Sequence, residues 1–226
     1  MKTYRAKKGP FTERPYYELN DIEIMCTEEL RSVGLYPQKP EPIRIDRFIE
    51  KRFKVVPEYG ELEDGVLGLT VFGAKGMEKV VIARSLDREN TKAAERRIRT
   101  TLAHEAGHGL LHAHLFLLAS KQPMFDGFAN ESRPTVLCRD IPVGITEKTS
   151  YDGRWWEHQA NLVIGALLLP RPLVMTVLKP FISENGLKRR EEAILELATI
   201  FNVNPVVARI RIKEICPEVN CNQAKF

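Results

Sequence analysis

His104-Glu105-Ala106-Gly107-His108 is the stretch on which the reading of this chain turns. Side chains four apart on a helix share a face, so His104 and His108 can aim two imidazoles at one cation, with Glu105 beside them as a base for water. That combination is the apparatus of metal-assisted hydrolysis. The competing explanation is a core helix carrying two buried, hydrogen-bonded histidines, and the surrounding sequence has to decide between them.

The residues around the motif predict one long helix from Thr91 to about Leu118. Ile98, Leu102, Ala106, Leu110 and Leu111 form its apolar face, and Glu95 and Arg99 pair at i, i+4. Upstream, Val66 to Phe72 and Met77 to Ala83 are β-rich and flank Gly73-Ala74-Lys75-Gly76, a hairpin signal and the only convincing sheet. An extended substrate strand or the segment after the motif helix can take the edge of that hairpin, with equal weight. Before it, a helix capped by Asn20 or Asp21 runs to about Ser32 and stops at Gly34. A Pro-rich linker from Tyr36 to Pro42 follows, and Asp46 caps a short helix containing Phe48, Ile49 and Phe53. Met1 to Pro10 is basic without an apolar run, which reads as a solvated tail and not as a secretory signal.

Downstream, Lys121 to Gly153 is rich in Pro, Gly, Asp, Ser and Thr and reads as a long excursion with little regular structure. Trp155 to Leu169 returns to a helical pattern that Pro170 ends. Glu191 to Phe201 and Pro205 to Ile215 form a last helical pair around Asn202-Val203-Asn204. The expected fold class is α+β: mainly helical, with a small antiparallel β-sheet before the motif helix and a C-terminal helix-turn-helix-like pair. The expected divisions are 1–42, 43–180 and 181–226.

With 43% hydrophobic and 28% charged residues, the 226-residue chain can build a core and is not of the disordered class. Thirty-four basic against 30 acidic residues leave +4, too balanced to argue for nucleic acid or an anionic membrane. The most apolar window, Leu162 to Leu169, is about half of what a bilayer requires, so a buried helix in a soluble protein is expected. Four scattered cysteines, Cys26, Cys138, Cys216 and Cys221, without an export signal read as reduced thiols in the cytoplasm. Cys138 can be imagined as a thiolate blocking the metal, but a small buried hydrophobe is the favoured reading. Cys216 and Cys221 lack a second ligand pair nearby.

A catalytic zinc needs a third protein ligand and an open position, and three candidates compete. His114 has the spacing of the His-x-x-Gly-x-x-His pattern, but Leu111 occupies the glycine position and a continuing helix turns His114 away. His112 lies on nearly the same face as His108. One straight helix rises about 6 Å per four residues, so His112 falls just outside the metal's reach, where it orients a neighbour or caps the buried face. Glu157, at the start of the apolar helix, can reach across from a second helix to complete a His2Glu set.

Thr101-Leu102-Ala103-His104-Glu105-Ala106-Gly107-His108, followed by Glu157-x-x-Ala160-Asn161 and Ala166-Leu167-Leu168-Leu169-Pro170, resembles the ImmA/IrrE metallopeptidases over about Ile43 to Ile212. The resemblance implies a zincin-like peptidase domain over 43–180, with His104, His108 and Glu157 as metal ligands and Glu105 as the catalytic base. It implies a zinc ion, with manganese as the alternative. It also implies a regulatory endopeptidase that cuts a helix-turn-helix repressor in a stress or mobile-element response. The long gap from His108 to Glu157 departs from the family's pattern and points to an insertion within 121–153. An oxyanion partner is expected as well, and His158, Tyr151 and Arg154 are near Glu157 without one being singled out. Two other functions compete: DNA binding through the last helical pair, with Arg209, Arg211 and Lys213 meeting phosphates, or a catalytically silent metal-binding protein. An intact Glu105 argues against the silent protein.

Overall fold

A computed structural model of the chain describes residues 2–5, 11, 13–119, 135–139, 154–183 and 186–217. It is a mixed α+β fold, predominantly helical with small sheets.

At the N-terminus, β1 (Lys2–Arg5) and β2 (Glu13–Tyr16) form an antiparallel ribbon with Lys2 opposite Tyr16. The expected solvated tail is therefore corrected at 2–5, while residues 1 and 6–10 lie outside the described set. Phe11 explains the attachment, since it is buried with ring centres 4.9 Å from Phe116, 5.7 Å from Trp155 and 5.6 Å from Trp156. A strand that pairs through its backbone needs no apolar alternation of its own, so composition gave no sign of it.

Helix α1 (Leu19–Ser32) begins two or three residues earlier than expected, with Glu18 at the cap position and the Asp21 carboxylate accepting from the Glu18 N–H at 3.0 Å. It ends as expected, with Gly34 N–H bonding Arg31 O at 3.0 Å and Leu35 N–H bonding Leu30 O at 2.8 Å. Helix α2 (Ile45–Phe53) places Asp46 inside its first turn, with Arg44 as the cap, and buries Phe48 and Ile49.

β3 (Glu58–Gly60), β4 (Val66–Gly73) and β5 (Gly76–Ala83) follow, with β4 and β5 forming the expected hairpin. β4 alternates buried and half-buried residues along its whole length, the signature of a strand with one face on the core. The sheet is larger than expected and mixed, in the order β3-β5-β4-β6 with β3 parallel to β5. Its fourth strand, β6 (Thr135–Arg139), comes from the excursion read as having little regular structure, and it covers the β4 edge from Val66 to Val71. The excursion, not a substrate, therefore takes that edge.

The short helix α3 (Arg84–Glu89) leads into α4 (Lys92–Leu111), whose first turn is capped by the Thr91 hydroxyl accepting from Ala94 N–H at 3.1 Å. The single long helix expected here is broken: His112 leaves helical geometry at φ −121°, and α5 (Ala113–Ala119) begins after it. The break turns the His112 side chain into the interior and leaves His114 exposed.

Helices α6 (Trp155–Leu168) and α7 (Arg171–Leu178) flank Pro170. A two-residue ribbon of β7 (Ile182–Ser183) and β8 (Gly186–Leu187) then precedes α8 (Arg190–Ile200) and α9 (Pro205–Ile215). The chain direction turns by 116° between α8 and α9, the two helices expected around Asn202-Val203-Asn204. The turn is fastened to the motif helix: Asn202 Nδ2 donates to Glu95 at 2.6 Å, and Arg99 Nε donates to Asn202 O at 3.0 Å. The Arg99 guanidinium bonds carbonyl oxygens, Ile43 O among them at 2.9 Å, and the Glu95 expected as its i, i+4 partner attracts it by charge. Among the described residues no single helix is long and apolar enough to cross a membrane.

One buried cluster links Cys26 of α1, Phe48 of α2, Phe72 of β4, Leu102 of α4, Leu167 of α6 and Ile212 of α9. Arg211 lies wholly inside this packing. Its Nη2 donates to Glu23 at 2.8 Å, Nη1 to Glu214 at 3.0 Å and Nε to Leu169 O at 2.9 Å, so it is not placed to meet phosphate. Arg209 is held by Glu191 through two bonds of 2.8 and 2.9 Å, and Lys213 is exposed. Replacing Arg211 by Met strands the buried Glu23 carboxylate and is expected to cost about 3–5 kcal/mol of stability. Chemical denaturation of the two proteins measures this, and a loss below about 1 kcal/mol would show that the carboxylates do not depend on the guanidinium.

Candidate metal centre

Helices α4 and α6 pack closely at Gly107. A Cβ there would sit 3.1 Å from the Cα and carbonyl oxygen of Ala160 and 3.1 Å from the Cβ of Val163. With only hydrogen at 107 and a methyl at 160, the backbones approach closely enough for the first turn of α6 to overlie His104 and His108. Glu157 lies in that first turn.

Three donor atoms converge there. His104 Nε2 and His108 Nε2 are 3.0 Å apart, and Glu157 Oε2 lies 3.1 Å from the first and 3.6 Å from the second. A tetrahedral ion with bonds of about 2.0–2.1 Å holds its ligand atoms about 3.3–3.4 Å apart, and the three edges bracket that spacing. His104 Nδ1 faces Asn161 Oδ1 at 3.0 Å, which keeps a proton on Nδ1 and leaves Nε2 able to serve as a ligand. The His104–His108–Glu157 group can hold a metal ion, and its two nitrogens and one carboxylate are the donor set of catalytic zinc sites. The Glu157 side chain is 23% exposed against 5% and 0% for the two histidines, so the cluster opens to solvent on the Glu157 side.

The electrostatics agree with a cation-binding cluster. Burial works against the charged form of Glu157, yet hydrogen bonds from His104 and His108 hold its carboxyl well below the usual carboxylate range. Burial also opposes a charge on His104, but the bond to Glu157 and the carboxylates of Glu105 and Glu157 outweigh it and raise its pKa. His108 is pushed down to about 4, first by burial and then by its neighbour His104, so its ring is neutral near pH 7. Protons and a metal compete for the same lone pairs.

Glu105 is fully buried, and burial pushes its carboxyl up to about 7. The Thr70 hydroxyl, from β4, donates to Glu105 Oε2. Gly68 leaves room for the other oxygen, because a Cβ there would stand 2.8 Å from Glu105 Oε1. That second oxygen is buried and has no hydrogen-bond partner among the described residues. An unpartnered buried acceptor is costly, and one next in sequence to a metal ligand is suited to take a proton from water.

All four residues singled out in the sequence are thus brought to one place. His112 lies outside the ligand set, with its Nδ1 3.1 Å from His108 Nδ1. His114, His158 and Arg154 are exposed, Tyr151 and Cys221 lie outside the described residues, and Cys138 stands opposite Gly68 on β6 with its side chain outside them. Three participants escaped the sequence reading. Asn161 follows Glu157 by four positions and so shares its helix face, a signal that was available. Thr70 and Gln159 carried none, since their roles depend on β4 and on the N-terminal ribbon reaching the cluster. No protein-family model matches the chain, and no curated protein matches it.

Gly107→Val is expected to push α6 away and weaken metal affinity by about tenfold or more. Competition against a chromophoric chelator measures it; an unchanged affinity would show that the helix contact does not set the ligand spacing.

Proposed function

We propose that this chain is a zinc-dependent endopeptidase of the ImmA/IrrE type with a zincin-like fold. The observation that carries the reading is the convergence of His104 Nε2, His108 Nε2 and Glu157 Oε2 within 3.0–3.6 Å, with the unpartnered Glu105 Oε1 buried on the same helix. His104, His108 and Glu157 hold the ion, zinc or else manganese. When bound, the ion supplies Lewis acidity toward water and the scissile carbonyl.

The protein's own residues do the rest. Glu105 takes a proton from the attacking water as the new C–O bond forms, then returns it to the amine nitrogen as the C–N bond breaks. Thr70 holds one Glu105 oxygen so that the other stays aimed, and burial keeps bulk water from competing for it. The substrate class, a helix-turn-helix repressor in a stress or mobile-element response, follows from the sequence resemblance alone and carries a cytoplasmic setting with it.

Incubating the protein with repressors encoded beside its own gene should give one cut, visible by mass analysis, that EDTA abolishes and zinc restores. Glu105→Gln should lower the rate by about 10²–10⁴-fold while zinc affinity stays near that of the parent. Undiminished cleavage by this variant would remove Glu105 from the mechanism. Glu157→Ala should lose the metal itself, checked by metal analysis of the dialysed protein.

A further inference from the structure

His112 is fully buried, four residues beyond His108, and the proposed chemistry gives it no task. Its hydrogen bonds assign one. Pro15 O, in the N-terminal ribbon, can only accept, so the Gln159 amide nitrogen 2.8 Å away donates to it. Gln159 Oε1 is then the atom facing His112 Nε2 at 2.9 Å, and a carbonyl oxygen can only accept, so His112 carries a proton on Nε2. In the neutral ring Nδ1 is bare. It lies 3.1 Å from His108 Nδ1, which must therefore hold the proton of that contact. A neutral His108 protonated on Nδ1 has its lone pair on Nε2, the atom facing His104 and Glu157.

We infer that Gln159 and His112 are positioning residues that relay the hydrogen-bond polarity of the Pro15 carbonyl to His108 and so fix the tautomer in which His108 binds a metal. The inference rests on the metal-centre reading above. It adds that the N-terminal ribbon, remote in sequence from the motif, tunes metal affinity. The ribbon is anchored for this. Phe11 packs on Trp155, the Arg14 guanidinium lies 5.9 Å from the Trp155 ring centre, and Trp155 stands edge-on to His112 with centres 5.6 Å apart. The opposite polarity, with the His112 proton on Nδ1, would force the His108 proton to Nε2 and close that ligand position. Partners that fix an imidazole's tautomer this way usually change metal affinity by about 10–100-fold when removed.

Two measurements test the relay on the full chain. Long-range proton–nitrogen NMR of protein labelled with ¹⁵N-histidine, assigned with a His112→Asn variant, reads which nitrogen of each ring is protonated. His112 protonated on Nε2 alone and, in zinc-loaded protein, His108 protonated on Nδ1 are expected; a His112 proton on Nδ1, or on both nitrogens, would overturn the relay. Separately, Gln159→Leu removes both Gln159 bonds at similar volume. Its zinc affinity, by chelator competition under conditions where both proteins are folded, should fall about 10–100-fold, while the unmade bonds at Pro15 O and His112 lower the melting temperature in EDTA as well. Equal affinity would sink the proposal, and if the variant does not fold the NMR result stands on its own. Failure of the parent protein to bind zinc would remove the metal-centre reading, while the His112 tautomer, read in the same spectra, would still decide the relay.

Discussion

Where α4 passes α6, only the hydrogen of Gly107 stands between two helix backbones, and the candidate metal centre depends on that proximity. His104 and His108 on one helix supply two donors and no more. The third, Glu157, belongs to a helix that begins 44 residues after the last residue of α4 by number (155 − 111) but lies against its middle. Donor separations of 3.0, 3.1 and 3.6 Å tolerate displacements of only a few tenths of an ångström before an ion can no longer bond to all three. Helix packing distance and metal chemistry are one constraint here.

The groups behind the donors follow a common rule, in which each occupies one polar atom of its partner and leaves the other. Asn161 engages His104 at Nδ1, His112 engages His108 at Nδ1, and Thr70 engages Glu105 at Oε2. The atoms left over are two Nε2, which belong to the group that could hold an ion, and one Oε1, which has no hydrogen-bond partner among the described residues. Burial strengthens this division, since a low-dielectric surrounding makes each unmade hydrogen bond expensive and each made one firm.

Helix α6 is gripped at both ends by parts of the chain far from it in sequence. At its start, Gln159 bonds the backbone of the N-terminal ribbon and Trp155 packs under Phe11. At its end, the Leu169 carbonyl accepts from Arg211 of α9, which also neutralises Glu23 of α1. The turn between α8 and α9 is in turn fixed to α4 through Glu95, Arg96 and Asn202. The α8–α9 pair therefore serves as a clamp that holds in place the two helices carrying the candidate metal ligands.

The sequence by itself determined the local features: the amphipathic helices, the β4–β5 hairpin, the two histidines sharing a face and the glutamate beside them. These depend on side chains within a few residues of one another, whose spacing is set by helix and strand periodicity. Glu157 was legible as a candidate because it opens a helix, but its arrival at His104 required the Gly107–Ala160 contact. Only the tertiary structure decided that β6 would come from the 121–153 excursion, that Lys2–Arg5 would form a strand, and that α4 would break at His112. It alone turned Arg211 from a surface cation into a buried one. Strand partners, helix breaks and charge burial depend on what the rest of the chain brings alongside, and no local period encodes that.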